Sequence, residues 1–349
     1  MNPFLRTVLI AIAAGFLFDQ IGMFLPWLLG PLFTLLILNQ FTSIQFYWPK
    51  SLRVIGLLLL GTQIGSSFTR DSVFLMWFDL PYMAFMTVSV VGAALVFGLL
   101  FKWMSNESMA TSLIGSIPGG LSQMVLISEG VRTANATVVT MMQTIRIFLV
   151  VTIVPFLTTM LTGRPQSNFT EQVFAFSPSA FAIALVLGIA IYFGMKRISF
   201  PAAEVLAPVL TIAAVQTWTG NSLIELPPLL IIMAQIFIGA HLGLQMENLK
   251  EKLNMRLGVA ILVNNVLLIG FTAGIAYILT VWRPSYLFLD FFLSGAPGGI
   301  AEMSITALET GGDIAMITSF HLFRLFFILL LAAPILAYVF KKLDAKKGN

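Results

Sequence analysis

Two arginines lie deep inside long apolar stretches, and each follows a polar side chain by three residues. Arg146 occurs in QTIRIF after Gln143, and Arg324 occurs in HLFRLF after His321. Residues three apart share one face of a helix. The pattern predicts two guanidinium groups that bind a carboxylate or another oxyanion with two parallel hydrogen bonds. The alternative is that they reach a membrane interface or donate to carbonyls freed by a nearby break in the helix.

Two Pro-Gly-Gly sequences interrupt apolar stretches. They occur in GSIPGGLSQM, beginning at Gly115, and in SGAPGGIAEM, beginning at Ser294. Proline lacks a backbone N–H and clashes with the preceding turn, and glycine disfavours a helix. We therefore predict one helix–break–helix segment over residues 107–129 and another over residues 286–309. Broken helices at matching positions in two halves are typical of a transporter's substrate site.

The N–H groups after each break begin a new helix, and a helix N-terminus attracts anions. These groups lie in residues 119–121 and 298–300. We predict a substrate-binding site at the two breaks. Its predicted residues are Pro118, Gly119, Gly120, Ser122, Gln123, Arg146, Pro297, Gly298, Gly299 and Arg324.

Glu302 follows the second break at the position that Gln123 takes after the first (302 − 123 = 179). A carboxyl in one copy and an amide in the other suit a carrier coupled to H⁺ or Na⁺. We predict Glu302 and His321 as ion-coupling residues. The alternatives are that Glu302 is protonated or bonded to the local backbone, and that His321 is a polar residue packed between helices.

Composition indicates a membrane protein. Hydrophobic residues make up 58% of the 349 residues, charged residues make up 10%, and the mean hydropathy is +0.95. Several apolar runs exceed the roughly 20 residues that span a bilayer. We predict an all-α polytopic membrane protein in contact with the lipid bilayer.

Metal, cofactor and nucleic-acid chemistry are not expected. The chain has no cysteine, and its two histidines, His241 and His321, lack neighbours at metal-ligand spacing. No phosphate loop or nucleophile triad occurs. The net charge of +4 lies mostly in short loops, so it is not a nucleic-acid footprint. We predict no metal, no cofactor, no catalytic residues and no enzyme activity.

The chain is internally duplicated. LLGPLF recurs as VLAPVL, LGTQIGSS recurs as IGAHLGLQ, and the Pro-Gly-Gly and arginine motifs recur in the same order, all at offsets of 177–179 residues. We predict a first membrane repeat at 1–165, a polar linker at 166–177, a second membrane repeat at 178–341 and a cytoplasmic basic tail at 342–349.

Charge distribution predicts the topology, because cytoplasmic loops carry an excess of Lys and Arg. We place the N-terminus inside and let each Pro-Gly-Gly segment enter and leave on one side. The basic residues then inside are Arg6, Lys50, Arg53, Lys102, Arg132, Lys196, Arg197, Lys250, Lys252, Arg256, Lys341, Lys342, Lys346 and Lys347. Only Arg70, Arg164 and Arg283 lie outside. This predicts two inverted repeats, each of five transmembrane helices plus one re-entrant helical hairpin, with both termini cytoplasmic.

The two Pro-Gly-Gly motifs, their polar-x-x-Arg helices and LPWLLGPL together resemble the bacterial AbrB-duplication membrane family, over nearly the whole chain. That family carries labels as an ammonia monooxygenase and as a regulator of gene expression. The first label needs several metal ligands that this chain lacks, and direct DNA binding needs a basic domain. The predicted layout looks like that of bacterial citrate and glutamate carriers, which is an analogy of architecture alone.

We predict a secondary transporter of a small anionic, carboxylate-bearing metabolite in the bacterial inner membrane, working as a homodimer. The alternative is a membrane-embedded sensor that affects gene expression indirectly.

Overall fold

The structure is a computed structural model that describes residues 2–162, 178–219, 226–245 and 254–347. Every regular element in these ranges is a helix, as the long apolar stretches predict. In chain order the helices are α1 (Pro3–Gln20), α2 (Pro26–Phe41), α3 (Lys50–Ser66), α4 (Arg70–Ser105), α5 (Met109–Ser116), α6 (Leu121–Glu129), α7 (Ala136–Thr162), α8 (Pro178–Arg197), α9 (Ala203–Thr219), α10 (Pro228–Gln245), α11 (Met255–Trp282), α12 (Phe288–Gly295), α13 (Ile300–Thr310), α14 (Ile314–Phe327) and α15 (Ala333–Lys347). A π-helical turn, Ile328–Ala332, joins α14 to α15.

Six helices in the described ranges are long and apolar enough to cross a membrane. They are Pro3–Gln20, Arg70–Ser105, Ala136–Met160, Pro228–Gln245, Met255–Trp282 and Ile314–Leu343. Their outer faces expose large apolar side chains, such as Trp77 and Leu330. Lipid, and not water, suits such surfaces. The prediction of a helical membrane protein is confirmed at this level, whereas ten crossings and their directions stay predictions.

Both predicted breaks are present. The first separates α5 from α6 and the second separates α12 from α13. Each first arm begins two residues later than predicted, at Met109 and at Phe288. The helix starts repeat at one offset, since α12 begins 179 residues after α5 (288 − 109) and α13 begins 179 residues after α6 (300 − 121). Duplication therefore extends from the motifs to the helices that contain them.

The described helices form two compact units, and each takes helices from both sequence repeats. One unit comprises Met1–Trp77, Pro155–Lys252 and Ser304–Ala315; we call it the scaffold unit. The other comprises Phe78–Val154, Leu253–Met303 and Met316–Asn349; we call it the hairpin unit. The predicted repeat boundaries are divisions of the sequence, and the compact units cut across them. The predicted linker and the residues Arg164, Lys250 and Lys252 lie outside the described ranges.

Glycine seams join the two repeats within the scaffold unit. Helix α3 packs on α9, and α10 packs on α2. A Cβ placed on Gly65 would lie 3.1 Å from the Val209 carbonyl oxygen, and one on Gly243 would lie 2.6 Å from the Leu32 carbonyl oxygen. Small residues let helix backbones approach this closely. Because α9 and α10 correspond to α2 and α3, each repeat contributes its glycine helix to a helix of the other repeat.

The Gly243 seam yields a stability prediction. In Gly243→Ala the new methyl group would meet the Leu32 backbone, which moves only if α2 shifts, so the free energy of unfolding should fall by about 1–3 kcal/mol. Gly194→Ala, in α8, is the matched control, because nothing lies within 4 Å of its added Cβ and alanine favours a helix. Thermal unfolding of both purified variants in detergent checks this prediction. Equal stability of the two variants would contradict the close packing of α10 on α2.

Candidate functional site: two arginine-capped helix breaks

Arg146 lies on α7, with its side chain only 3% exposed, and donates hydrogen bonds to backbone carbonyls at the first break. Its Nη1 group donates to the carbonyl oxygen of Ile117 at 2.9 Å and, at longer range, to those of Ser116 (3.3 Å) and Gly115 (3.5 Å). Its Nη2 group reaches the Gly119 carbonyl oxygen at 3.5 Å. The guanidinium therefore contacts the end of α5 and the break that follows it.

Arg324 lies 5% exposed on α14 and makes the corresponding contacts in the second copy. Its Nη1 group donates to the carbonyl oxygens of Gly295 (3.1 Å) and Ala296 (2.8 Å), and its Nη2 group donates to that of Gly298 (2.9 Å). All these residues, like those around Arg146, belong to the hairpin unit. The duplication thus preserves the contact as well as the residue types.

These contacts have a simple physical reason. The last carbonyls of a helix have no intrahelical donor, and the C-terminal end of a helix carries partial negative charge. A planar guanidinium with five donors can satisfy several such carbonyls at once. Of the two sequence interpretations, donation to the freed carbonyls is the one that the geometry displays. Binding of an anion by Arg146 and Arg324 stays a prediction.

The polar residue one turn before each arginine supports it. Gln143 Nε2 donates to the carbonyl oxygens of Gly115 and Ile117, both at 3.1 Å, while its Oε1 accepts from Arg146. Gln143 is 1% exposed, so these bonds satisfy an amide that water does not reach.

His321 occupies the equivalent position before Arg324. Its two hydrogen-bond partners determine its tautomer. Arg324 Nη2 lies 2.7 Å from His321 Nδ1, and Nε2 lies 2.9 Å from the Leu293 carbonyl oxygen. The guanidinium can only donate, so Nδ1 must accept and the ring must carry its hydrogen on Nε2. This arrangement requires a neutral ring. The geometry therefore suits a positioning role, and an ion-coupling role for His321 is still a prediction.

The helix that follows each break begins directly after the glycines. Gly120 caps α6, and the Gly119 N–H donates to the Ile117 carbonyl oxygen at 2.8 Å. The sequence interpretation counted the Gly119 N–H among the groups open to an anion; this bond removes it from that set. The side-chain amide of Gln123, in the first turn of α6, is buried with no hydrogen-bond partner. Ser122 lies in the same turn, but its side chain is outside the described part of the structure.

Glu302 lies in the first turn of α13, and its carboxylate folds back over the break. A Cβ placed on Gly299 would overlap the Glu302 carboxylate. Pro297 precedes these residues, as Pro118 does in the first copy. Gln123 and Glu302 therefore occupy matching places beside their glycines, as their spacing predicts.

The two copies meet within the hairpin unit. A Cβ on Gly298 would lie 2.9 Å from Cγ1 of Val150, which is one helical turn after Arg146 on α7. Arg324 donates to the carbonyl oxygen of this same Gly298, so both arginines lie beside the contact between the two copies. Within the described ranges neither forms an ion pair with a carboxylate; the ion pair found there joins Arg283 to Asp79. Two buried positive charges thus lie near each other with neutral partners.

Asn264 also contacts the first break, although it belongs to none of the repeated motifs. It lies on α11 and accepts a hydrogen bond from the Ser116 hydroxyl at 3.3 Å, next to the first break. Its equivalent in the first repeat is Met86 (264 − 178 = 86), which lies against Gly295 at the second break. A buried asparagine in an apolar helix is the signal that could have identified it.

Comparison with known proteins places this arrangement in a family. The family model described as "Transition state regulatory protein AbrB" matches residues 4–341. The chain belongs to the AbrB family. It is 24% identical to "Uncharacterized protein YhjN" of Bacillus subtilis (strain 168) over 366 aligned residues, covering 94% of this chain and 90% of that protein. It is 27% identical to "Putative regulator AbrB" of Escherichia coli (strain K12) over 319 aligned residues, covering 89% of each.

The arginine contacts yield a second stability prediction. Arg324→Gln removes donors from three carbonyls, two of them buried, so the hairpin unit should lose on the order of 3 kcal/mol of stability. Arg132→Gln, at an exposed position of the same unit, removes the same charge and should have little effect. Thermal unfolding of the purified variants measures the difference. A stable Arg324→Gln variant would show that the carbonyls do not depend on the guanidinium.

Proposed function

We propose that this AbrB-family protein is a secondary transporter of a small anionic, carboxylate-bearing solute across the bacterial inner membrane. The observation that carries the proposal is the pair of buried guanidinium groups near each other, without a carboxylate partner in the described part of the chain. Like charges in a poorly polarisable interior repel strongly. A bound anion would supply the missing negative charge.

The anion-binding elements in this proposal are the first turns of α6 and α13. The arginines donate to carbonyls of the first arms, so they hold each break open and add positive potential. A helix N-terminus offers backbone donors and partial positive charge. Gln123 supports this placement, because its buried amide has no partner in the structure and suits a polar solute. Glu302 is the proposed site of H⁺ or Na⁺ coupling beside it.

One contact supports a re-entrant path for the first hairpin. The backbone N–H of Asn135, after α6, donates to the Thr111 hydroxyl in the first turn of α5 at 2.9 Å. The start and the end of this segment are therefore adjacent, as expected of a chain that enters and leaves on one side. Inverted repeats and a homodimer complete the proposal by analogy with carriers of this layout.

A sensor that binds an anion without moving it is the second candidate. It is favoured by the names of the family and of the E. coli relative, both of which refer to regulation. The same site would serve, and the two functions differ in whether the solute crosses the membrane.

Cysteine labelling tests the hairpin topology in this cysteine-free chain. We expect Lys102→Cys and Thr133→Cys, on either side of the first hairpin, to react only with reagent on the cytoplasmic side. Ser285→Cys and Asp313→Cys, on either side of the second, should react only from outside. All four positions are exposed. Opposite sidedness within either pair would mean that the hairpin crosses the membrane.

Counterflow in proteoliposomes tests transport, with mono-, di- and tricarboxylates, phosphate and sulfate as solutes and a neutral sugar as the blank. We expect saturable exchange of a carboxylate. Gln123→Glu should raise its KM about tenfold, because a second carboxylate beside the site repels the anion by about 1.4 kcal/mol. Thr133→Glu adds the same charge on an exposed loop and should leave KM unchanged. If no anion exchanges but the purified protein still binds one, the sensor is favoured.

A further inference from the structure

Glu309 is a second carboxyl of the hairpin arm α13, at the end opposite Glu302. It lies in the scaffold unit and pairs with Gln235 of α10, whose Nε2 donates to Glu309 Oε1 at 2.9 Å. Gln235 is only 1% exposed, in the middle of a helix long enough to span the membrane. Neither residue takes part in the proposed anion site.

Half of the Gln235 amide lacks a partner. Its Oε1 is buried and accepts no hydrogen bond. A buried polar atom without a partner costs about 1–3 kcal/mol, so such an atom calls for an explanation. A carboxylate cannot donate to Oε1, because it has acceptors only, whereas a carboxylic acid has an O–H donor. A proton on Glu309 would let acid and amide form two hydrogen bonds in place of one.

The surroundings of Glu309 also disfavour a negative charge. The residue lies in the last turn of α13, where the helix carries partial negative charge. Burial raises the pKa of the Glu309 carboxyl, the nearby Asp19 carboxylate of α1 raises it further, and only the bond from Gln235 lowers it. Neither of these two neighbours is a cation.

We propose that Glu309 is a proton-binding site, with Gln235 as its amide partner. The proton comes from water and binds the carboxylate; the acid then donates to Gln235 Oε1 while Gln235 Nε2 continues to donate to Glu309. The second break precedes the first residue of α13, and Glu309 lies in the last turn of the same helix. Coupling of this proton to solute movement rests on the proposed transport function, but proton binding does not.

Infrared difference spectra between acid and alkaline pH, recorded on the purified full-length protein in lipid, test the site. We expect a carboxylic acid C=O band whose midpoint lies above that of an ordinary glutamate. The band should be lost in Glu309→Gln. It should persist in Glu129→Gln, which removes an exposed carboxylate from the corresponding end of α6. An unchanged band in Glu309→Gln would overturn the proposal.

Gln235→Leu tests the pairing and covers the case in which Glu309→Gln fails to fold. Losing the amide acceptor should shift the C=O band to higher frequency, as for an acid without a hydrogen bond. An unshifted band would overturn the role of Gln235.

Flux measurements then separate the two proposals. If the protein transports an anion, an imposed pH gradient should drive uptake in the wild type but not in Glu309→Gln, while solute counterflow continues in both. A titrating Glu309 band without any flux would uphold the proton site and reject the transporter. Gradient-driven uptake that persists in Glu309→Gln would reject a coupling role for Glu309 and leave Glu302 as the proposed coupling site.

Discussion

A helix that breaks inside an apolar environment leaves backbone carbonyls without donors, and one buried guanidinium at each break supplies them. Arg146 and Arg324 each contact three or more carbonyls, and Gln143 and His321 hold them in place. Non-helical backbone at membrane depth is tolerated only when protein or water satisfies it. The paired breaks, and any site built on them, therefore depend on these two side chains.

The same contacts give the breaks their electrostatic character. Each guanidinium neutralises the negative end of a first arm, while the first turn of each second arm keeps its own partial positive charge. Two cations are thus retained near each other at a considerable cost of desolvation. A protein with no use for an anion could satisfy the carbonyls with neutral amides such as Gln143. The retained charge is what connects the local geometry with the proposed solute.

Sequence reasoning predicted the elements more completely than the contacts. Pro118 and Pro297 locate both breaks to within a few residues, because proline and glycine act on the local backbone. The sequence does not decide which acceptors Arg146 binds, because a guanidinium can donate equally well to a solute carboxylate and to backbone carbonyls. The Asn264–Ser116 bond joins residues 148 apart and has no polar counterpart at Met86, so the repeat pattern gave no signal for it. The Glu309–Gln235 pair could not be predicted for a similar reason, since it joins two helices that share no sequence motif.

The glycine seams of the scaffold unit bear on how the chain is made. Gly65 needs α9, and Gly243 needs α2, so neither repeat can close its seam with its own residues. During synthesis the ribosome delivers α2 and α3 well before α9 and α10 exist. The early helices must then wait in the bilayer with small-residue grooves covered only by lipid or by an insertase. Assembly of the scaffold unit is therefore a late step, which cannot finish until α9 and α10 of the second repeat have left the ribosome.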